Sequence, residues 1–237
     1  MLFYTLGDKE MERKYYEAYD DRYRQVHSQN LQWFYDDPTA IVAQTMEKFG
    51  ITRQQKLLEL GCGEGRDAYP LLKQGYHLLA TDISPEANAY AKKKWPEFAE
   101  NFQILDCVAG DIPEKFDFIY AVAVVHMLVE DGDRDGFYTF IRKHLNPGGI
   151  GLICTMGDGK MERKSDIRTA FELQERTHEQ TGKQVQIAGT SCRMVNFETF
   201  RAELDRNGLA IVKEGMTSAP PDFSMLMYAV VKSKIWF

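Results

Sequence analysis

From Lys56 onward, short apolar runs alternate with stretches of helical periodicity. Leu57–Leu60, His77–Thr81, Phe102–Leu105, Phe116–Ala121 and Ile150–Thr155 predict five strands. The stretches near Asp67–Gln74, Pro85–Lys94 and Arg134–Leu145 predict the helices between them. Nearly continuous apolar strands separated by helices are the pattern of βαβ units, with a parallel sheet buried on both faces and right-handed crossovers. After Thr155 the pattern changes. Ser165–Thr181 is polar and predicts a long helix within an insertion over the sheet's C-terminal edge. Phe197–Asn207 predicts a helix with Asn196 as N-cap and Gly208 at its end. Leu209–Glu214 and Met225–Val231 predict two more strands. Gly215–Ser224, with Pro220 and Pro221, is too short a connection for a crossover and suits an antiparallel pair.

The N-terminal region is rich in Tyr and charge. Met11–His27 reads as helical, and Tyr15, Tyr19, Tyr23 and His27 fall four residues apart on one face. Pro38 opens a second helix through Lys48, and Gly50 closes it. No linker divides the chain. The expectation is one domain over 1–237, with a helical cover (1–50), a cofactor-binding core (56–155), an insertion over the active site (156–195) and a terminal helix with antiparallel strands (196–237). The fold class is α/β, doubly wound, with a mostly parallel seven-stranded sheet that ends antiparallel.

Composition narrows the partners. The formal net charge of -6 disfavours nucleic acid and anionic membrane surfaces. The one dense basic run, Lys92–Lys94, reads as a solvated helix face. No stretch approaches the ~20 apolar residues of a membrane span, and the start lacks the basic and apolar regions of a secretory signal. Cys62, Cys107, Cys154 and Cys192 show no CxxC spacing, so they read as reduced thiols in a cytoplasm and not as a metal site. The oligomeric expectation is a monomer or homodimer.

The chemistry concentrates where the first strand runs into Gly61, Cys62, Gly63 and Gly65. Glycine there permits positive φ and close backbone approach, and the following helix offers free N–H groups. A dinucleotide fingerprint wants GxGxxG, yet its third glycine position is Arg66 here, and Glu59 precedes the loop. An acid beside the loop repels a pyrophosphate but welcomes a sulfonium cofactor with an ammonium tail. Asp82, ending the second strand, can accept from both ribose hydroxyls. Asp106, ending the third, can accept from an adenine amine; Asp111 is its rival. Asp67 as N-cap of the next helix would place Pro70 where no hydrogen bond is lost.

The ordered set ELGCGEGRD, ATDIS, ILDC, FDFIYAVAVVHML and LNPGG resembles the motifs of class I S-adenosylmethionine-dependent methyltransferases, over about Lys56–Thr155. CGEGRDA and the Tyr/Trp-rich N-terminal helix look like the tellurite-resistance and thiopurine methyltransferase branch. The resemblance implies a Rossmann-like fold, with S-adenosylmethionine bound and S-adenosylhomocysteine released. It places Glu59, Gly61 and Gly63 around the methionine part, Asp82 on the ribose, and Ile83 and Cys107 along the adenine. It also places Asp106 on the adenine amine and Ala121 under the methionine.

Methyl transfer from a sulfonium asks the protein to align donor and acceptor and exclude water. A base is needed only where the acceptor must lose a proton. AVAV stands where a DPPY or NPPY motif would follow the fourth strand, which argues against amino methylation of nucleobases. The acidic run Glu130–Asp135 reads as complementing a helix dipole. The catalytic candidates are His126, Tyr23 and His27, since imidazole suits a base near neutrality. Tyr19, Trp33 and Arg193 are the acceptor-side candidates, with Phe34 beside them. The expected function is methylation of a small molecule. The alternatives are a protein or peptide methyltransferase, and a non-catalytic S-adenosylmethionine-binding module.

Overall fold

The computed structural model describes residues 13–234. Tyr15–Glu17 forms a single 3-10 turn that runs into α1 (Ala18–His27), followed by α2 (Ala40–Phe49). The core then runs β1 (Lys56–Leu60), α3 (Ala68–Lys73), β2 (His77–Asp82), α4 (Pro85–Lys94), β3 (Phe102–Ile104), β4 (Phe116–Val122), α5 (Asp131–His144) and β5 (Leu145–Met156). Four short strands follow: β6 (Arg163–Lys164), β7 (Leu173–Thr177), β8 (Gln184–Ala188) and β9 (Arg193–Met194). The chain closes with α6 (Phe197–Arg206), β10 (Leu209–Ala219) and β11 (Phe223–Ser233). No helix of the described residues is long and apolar enough to cross a membrane.

The seven-stranded sheet has the order β10-β11-β5-β4-β1-β2-β3. Strands β5, β4, β1, β2 and β3 are parallel. β11 is antiparallel to both β5 and β10. Neighbouring residues such as Leu57 and Leu58, or Phe118 and Ile119, divide between two apolar clusters on opposite sheet faces. A strand buried on both faces alternates sides without alternating polarity, which explains the continuous apolar runs. Strand order reverses between β1 and β4, the switch point where open α/β sheets form a crevice beyond their strand ends.

Four expectations change. The long helix over Ser165–Thr181 is absent. β7 and β8 instead pair as an antiparallel hairpin, Leu173↔Ala188 to Thr177↔Gln184. The alternating QVQIA of β8 buries Val185 and Ile187 against Val26 and Leu31, and its free edge needs a partner. Packing overrides local helix propensity here. Second, α3 does start after Asp67, but the Asp67 carboxylate does not cap it. It accepts from Thr39 N (2.5 Å) and Thr39 Oγ1 (2.9 Å), anchoring the entrance to α2 on the core. Third, β10 and β11 extend through the expected connection, so only residues 220–222 lie between them. Fourth, the first helix begins at Tyr15 within the described residues; Met11 and Glu12 lie outside them.

α1 is wedged between the core and the β7–β8 hairpin. Asp20 accepts from Ser84 Oγ (2.7 Å) and Glu86 N (3.0 Å) at the start of α4, where a helix dipole favours an anion. His27 is clamped on both sides: Nδ1 lies 2.8 Å from Glu86 Oε1 and Nε2 lies 2.8 Å from Glu64 Oε1. Burial disfavours its charged form, but the Glu64 and Glu86 carboxylates outweigh burial and raise its pKa. The clamp therefore stabilises the fold fully below the ordinary imidazole pKa of about 6.5, and that stability is lost as pH rises through the higher folded value. The His27→Gln variant is expected to melt below wild type at pH 6, with the gap shrinking toward pH 9. A gap that widens with pH in thermal melts would refute the clamp.

Candidate active site

The loop after β1 takes its shape from glycines at positive φ, +70° at Gly61 and +53° at Gly63. A Cβ at Gly61 would meet Val124 Cγ2 at 2.4 Å, and one at Gly63 would meet the Tyr23 hydroxyl at 2.6 Å. The glycines thus let β4's end and the cover helix approach the loop. Gly65 does not face the pocket; it packs against Phe102 and Trp95. Asp82 staples two loops together: Oδ2 accepts from Gly63 N and Oδ1 from Ser84 N, each at 2.8 Å. Burial pushes its carboxyl above the ordinary range, against the downward pull of those two N–H groups. Each oxygen keeps a lone pair for a further donor.

Around this staple lies a buried pocket at the strand ends. Ile83, Leu105, Cys107 and Val108 line an apolar side. Asp106 stands beside them; Oδ1 accepts from Val108 N (2.8 Å) and Oδ2 from the Tyr16 hydroxyl (3.3 Å). Glu59 reaches the wall from β1, accepting from the Tyr120 hydroxyl at 3.0 Å. Burial, and then the Asp67 charge, push its carboxyl well above the ordinary range. The β4 end contributes Val122, Ala123 and Val124. Ala121, the expected residue, is buried on the opposite side among Leu58 and Leu60. The strand's alternation shifts the wall by one position.

Beyond this pocket lies a second chamber of about 650 Å³. Tyr19, Phe34, Met127 and Phe223 line both, so these side chains form the boundary between them. Arg22, His126, Arg176 and Cys192 stand on its far walls. The β10–β11 turn supplies Phe223 and also Asp222, which pairs with Arg66 at 3.0 Å.

The sequence candidates land in different places. The glycine loop, Asp82, Ile83, Asp106 and Cys107 converge on the pocket, with Tyr23 above them. Burial, and then Asp82 and Glu64, push the Tyr23 hydroxyl's pKa well up, so it donates hydrogen bonds and is no base. His27 does not line the pocket, because both ring nitrogens are tied to carboxylates. His126 lines the chamber, buried, and its Nδ1 has no hydrogen-bond partner. Burial, then Arg134 and Arg22, push its pKa down to about 3, so the ring is neutral. Tyr19 and Trp33 line the chamber, and the Tyr19 hydroxyl donates to Ser191 O at 2.9 Å. Arg193 does not; its Nη1 donates to Val129 O (2.8 Å) and Asp131 Oδ1 (2.6 Å).

Sequence reasoning missed Arg22, Glu64, Arg66 and Phe223. Glu64, buried within the glycine loop, accepts from Trp33 N (2.7 Å) and Phe34 N (2.8 Å) and so fixes the aromatic boundary. Its position inside GEG was the available signal. Phe223 carried none, since its role depends on where a hairpin tip comes to rest.

Residues 58–150 match the model of a family described as a methyltransferase domain. Over 119 residues the chain is 30% identical to a probable S-adenosyl-L-methionine-dependent methyltransferase TehB of Haemophilus influenzae, covering 48% of this chain and 41% of the relative. It is 34% identical over 108 residues to a protein named hemagglutinin 1 of Eikenella corrodens, covering 44% and 35%. The chain thus spans well under half the length of the curated relatives it matches. A crystal structure of an S-adenosylmethionine-dependent methyltransferase from Clostridium acetobutylicum shares the fold, with a TM-score of 0.64 at 14% identity over 90% of this chain and 96% of that one. Residues 58–150 thus match a methyltransferase domain, in a chain that has the Rossmann-like fold of an S-adenosylmethionine-dependent methyltransferase and a partial likeness to TehB.

Proposed function

We propose that this protein transfers a methyl group from S-adenosylmethionine to a small molecule held in the second chamber. The observation that carries the proposal is the shared boundary of Tyr19, Phe34, Met127 and Phe223 between a pocket suited to the cofactor and a chamber of bounded size. The donor set suits the cofactor. Asp82 has spare lone pairs for the ribose hydroxyls, while Ile83, Leu105 and Cys107 make an apolar slot for adenine and Asp106 stands ready for its amine. Glu59 and the Tyr23 hydroxyl face the amino-acid end. Other relatives are named for small acceptors: phosphoethanolamine N-methyltransferase 1 of Zea mays and a ubiquinone biosynthesis O-methyltransferase of Rickettsia akari. The roof of α1 and the hairpins favours such a molecule over a peptide chain. The free thiols support a reducing, cytoplasmic setting.

S-adenosylmethionine, when bound, supplies a methyl group already activated on a sulfonium. The protein's own part is to position and to exclude water. Phe34, Met127 and Phe223 line the boundary with apolar surface. The Tyr23 hydroxyl, its pKa pushed well up by burial, stays protonated and cannot compete as a nucleophile. The neutral His126 ring stands in the chamber wall with Nδ1 unpartnered and can give or take a hydrogen bond. Calorimetric titration should show micromolar binding of S-adenosylmethionine and S-adenosylhomocysteine and none of NAD. Binding of NAD with no response to the sulfonium would overturn the proposal.

A further inference from the structure

We infer that the chamber takes an acceptor bearing an anionic oxygen group, a carboxylate or a phosphate, anchored on Arg22. The inference rests on the chamber being the acceptor site. Arg22 extends from α1 with its guanidinium 5.2 Å from the Tyr19 ring centre and 5.1 Å from that of Trp33. Its Nε and Nη2 donate to Ala188 O (3.3 and 3.0 Å), and Nη2 also reaches Gly189 O (2.9 Å) and Thr190 Oγ1 (2.5 Å). These neutral acceptors fix the fork in place, while Nη1 has no protein acceptor among the described residues. No carboxylate pairs with Arg22 there either. Its charged neighbour is another cation, Arg176, and burial lowers its pKa. A half-buried guanidinium without a counter-charge is partly desolvated, and a held fork with a free Nη1 suits a planar or tetrahedral oxyanion.

Two further cations line the chamber, against one acid without an ion-pair partner among the described residues, Glu179. Arg163 on β6 and Arg176 on β7 stand exposed at the rim, and Arg176 donates only to Gln174 Oε1 at 3.2 Å. The acids that face the chamber are Glu179 and Asp222, and Arg66 already pairs with Asp222. His178 is held by Gln32 O (2.6 Å) and Thr181 Oγ1 (2.8 Å). Arg22, Arg163 and Arg176 outnumber Glu179 on this lining, so the rim attracts anions toward one half-buried fork.

The second, independent observation is His126. It is buried in the same wall, with Nδ1 lacking any partner and its ring 6.1 Å from Phe223 on the cofactor side. An anion on Arg22 leaves the rest of a small acceptor lying between that fork and the boundary with the cofactor pocket.

The test uses the full chain and follows emission from Trp33, whose ring lies against Arg22. Benzoate, phenyl phosphate and benzamide are titrated in turn, because Trp33, Phe34 and Phe223 can stack an aryl ring. At least one of the anions should bind about tenfold or more tighter than benzamide; the tighter one identifies the group as carboxylate or phosphate. Arg22→Lys, which keeps the charge and loses the fork, should weaken that anion about tenfold. Arg176→Ala, exposed and structurally undemanding, should weaken it a few-fold and flatten its salt dependence. Equal binding of benzamide, no saturable anion binding at millimolar concentration, or anion affinity indifferent to both variants would overturn the inference. Parallel titration with S-adenosylhomocysteine separates the two readings. Anion binding without cofactor binding would sink the methyltransferase proposal alone, and the reverse would sink only the anion anchor.

Discussion

Replacing Glu203 with alanine is expected to destabilise the protein by about 3–5 kcal/mol, the cost typical of stranding one member of a buried ion pair. Arg134 and Glu203 are both fully buried. Arg134 Nε donates to Glu203 Oε1 (2.8 Å) and Nη2 to Oε2 (2.6 Å), a two-pronged contact between α5 and α6. The Tyr138 hydroxyl donates to the same carboxylate at 2.8 Å. Without Glu203, the guanidinium keeps only neutral acceptors, the carbonyls of Val125 (2.7 Å) and Leu128 (3.2 Å) and the Tyr138 hydroxyl (3.4 Å). Those carbonyls belong to the segment that carries His126 and Met127, so the loss should also loosen the wall between pocket and chamber. Urea unfolding reads the effect as a lower midpoint at constant slope. The double variant Arg134→Met with Glu203→Leu should recover most of the stability, because it leaves no unpaired charge. A loss below about 1 kcal/mol in Glu203→Ala would contradict the burial of the pair.

The second large effect is expected at Asp82. Alanine there should weaken S-adenosylhomocysteine binding about 100-fold, near 3 kcal/mol, as two charge-assisted hydrogen bonds to the ribose are lost. The geometry adds a second component. The same carboxylate holds Gly63 N and Ser84 N, so its removal leaves two N–H groups without an acceptor and slackens the glycine loop. Asparagine should rescue little. Its amide presents a donor to one of those N–H groups where the carboxylate presented an acceptor at both. Calorimetry gives the affinity, and a melt on the same sample shows whether the fold survives. Affinity within threefold of wild type, with an intact melt, would remove Asp82 from the cofactor site.

The two predictions differ in how visible their residues were beforehand. Asp82 follows an apolar strand at the spacing the fold requires, so its position could be read directly from the chain. Arg134 and Glu203 lie 69 residues apart and carry no pattern that joins them. His126 was singled out as a base and Tyr23 as a catalytic candidate, but their surroundings change what they can do. Burial beside Arg134 and Arg22 keeps His126 neutral, and burial beside Asp82 and Glu64 keeps Tyr23 protonated. His27 had the right chemistry, yet its place between Glu64 and Glu86 makes it a structural clamp. Arg193 was expected at the acceptor, but Asp131 and the Val129 carbonyl hold it elsewhere.

The sequence by itself determined the parallel sheet, its antiparallel ending and the glycine loop with its acids at successive strand ends. Those features are local: each strand, turn and helix start is written in a few consecutive residues, while the order of the strands appears only in the folded sheet. Only the tertiary structure decided the acceptor side. Ser165–Thr181 became a hairpin because Val185 and Ile187 found Val26 and Leu31, a contact no local propensity encodes. That hairpin, α1 and the β10–β11 tip then brought Arg22, Arg176 and Phe223 around His126. Residues so distant in the chain acquire a shared chemistry only through long-range packing, which sets their burial and hence their charge.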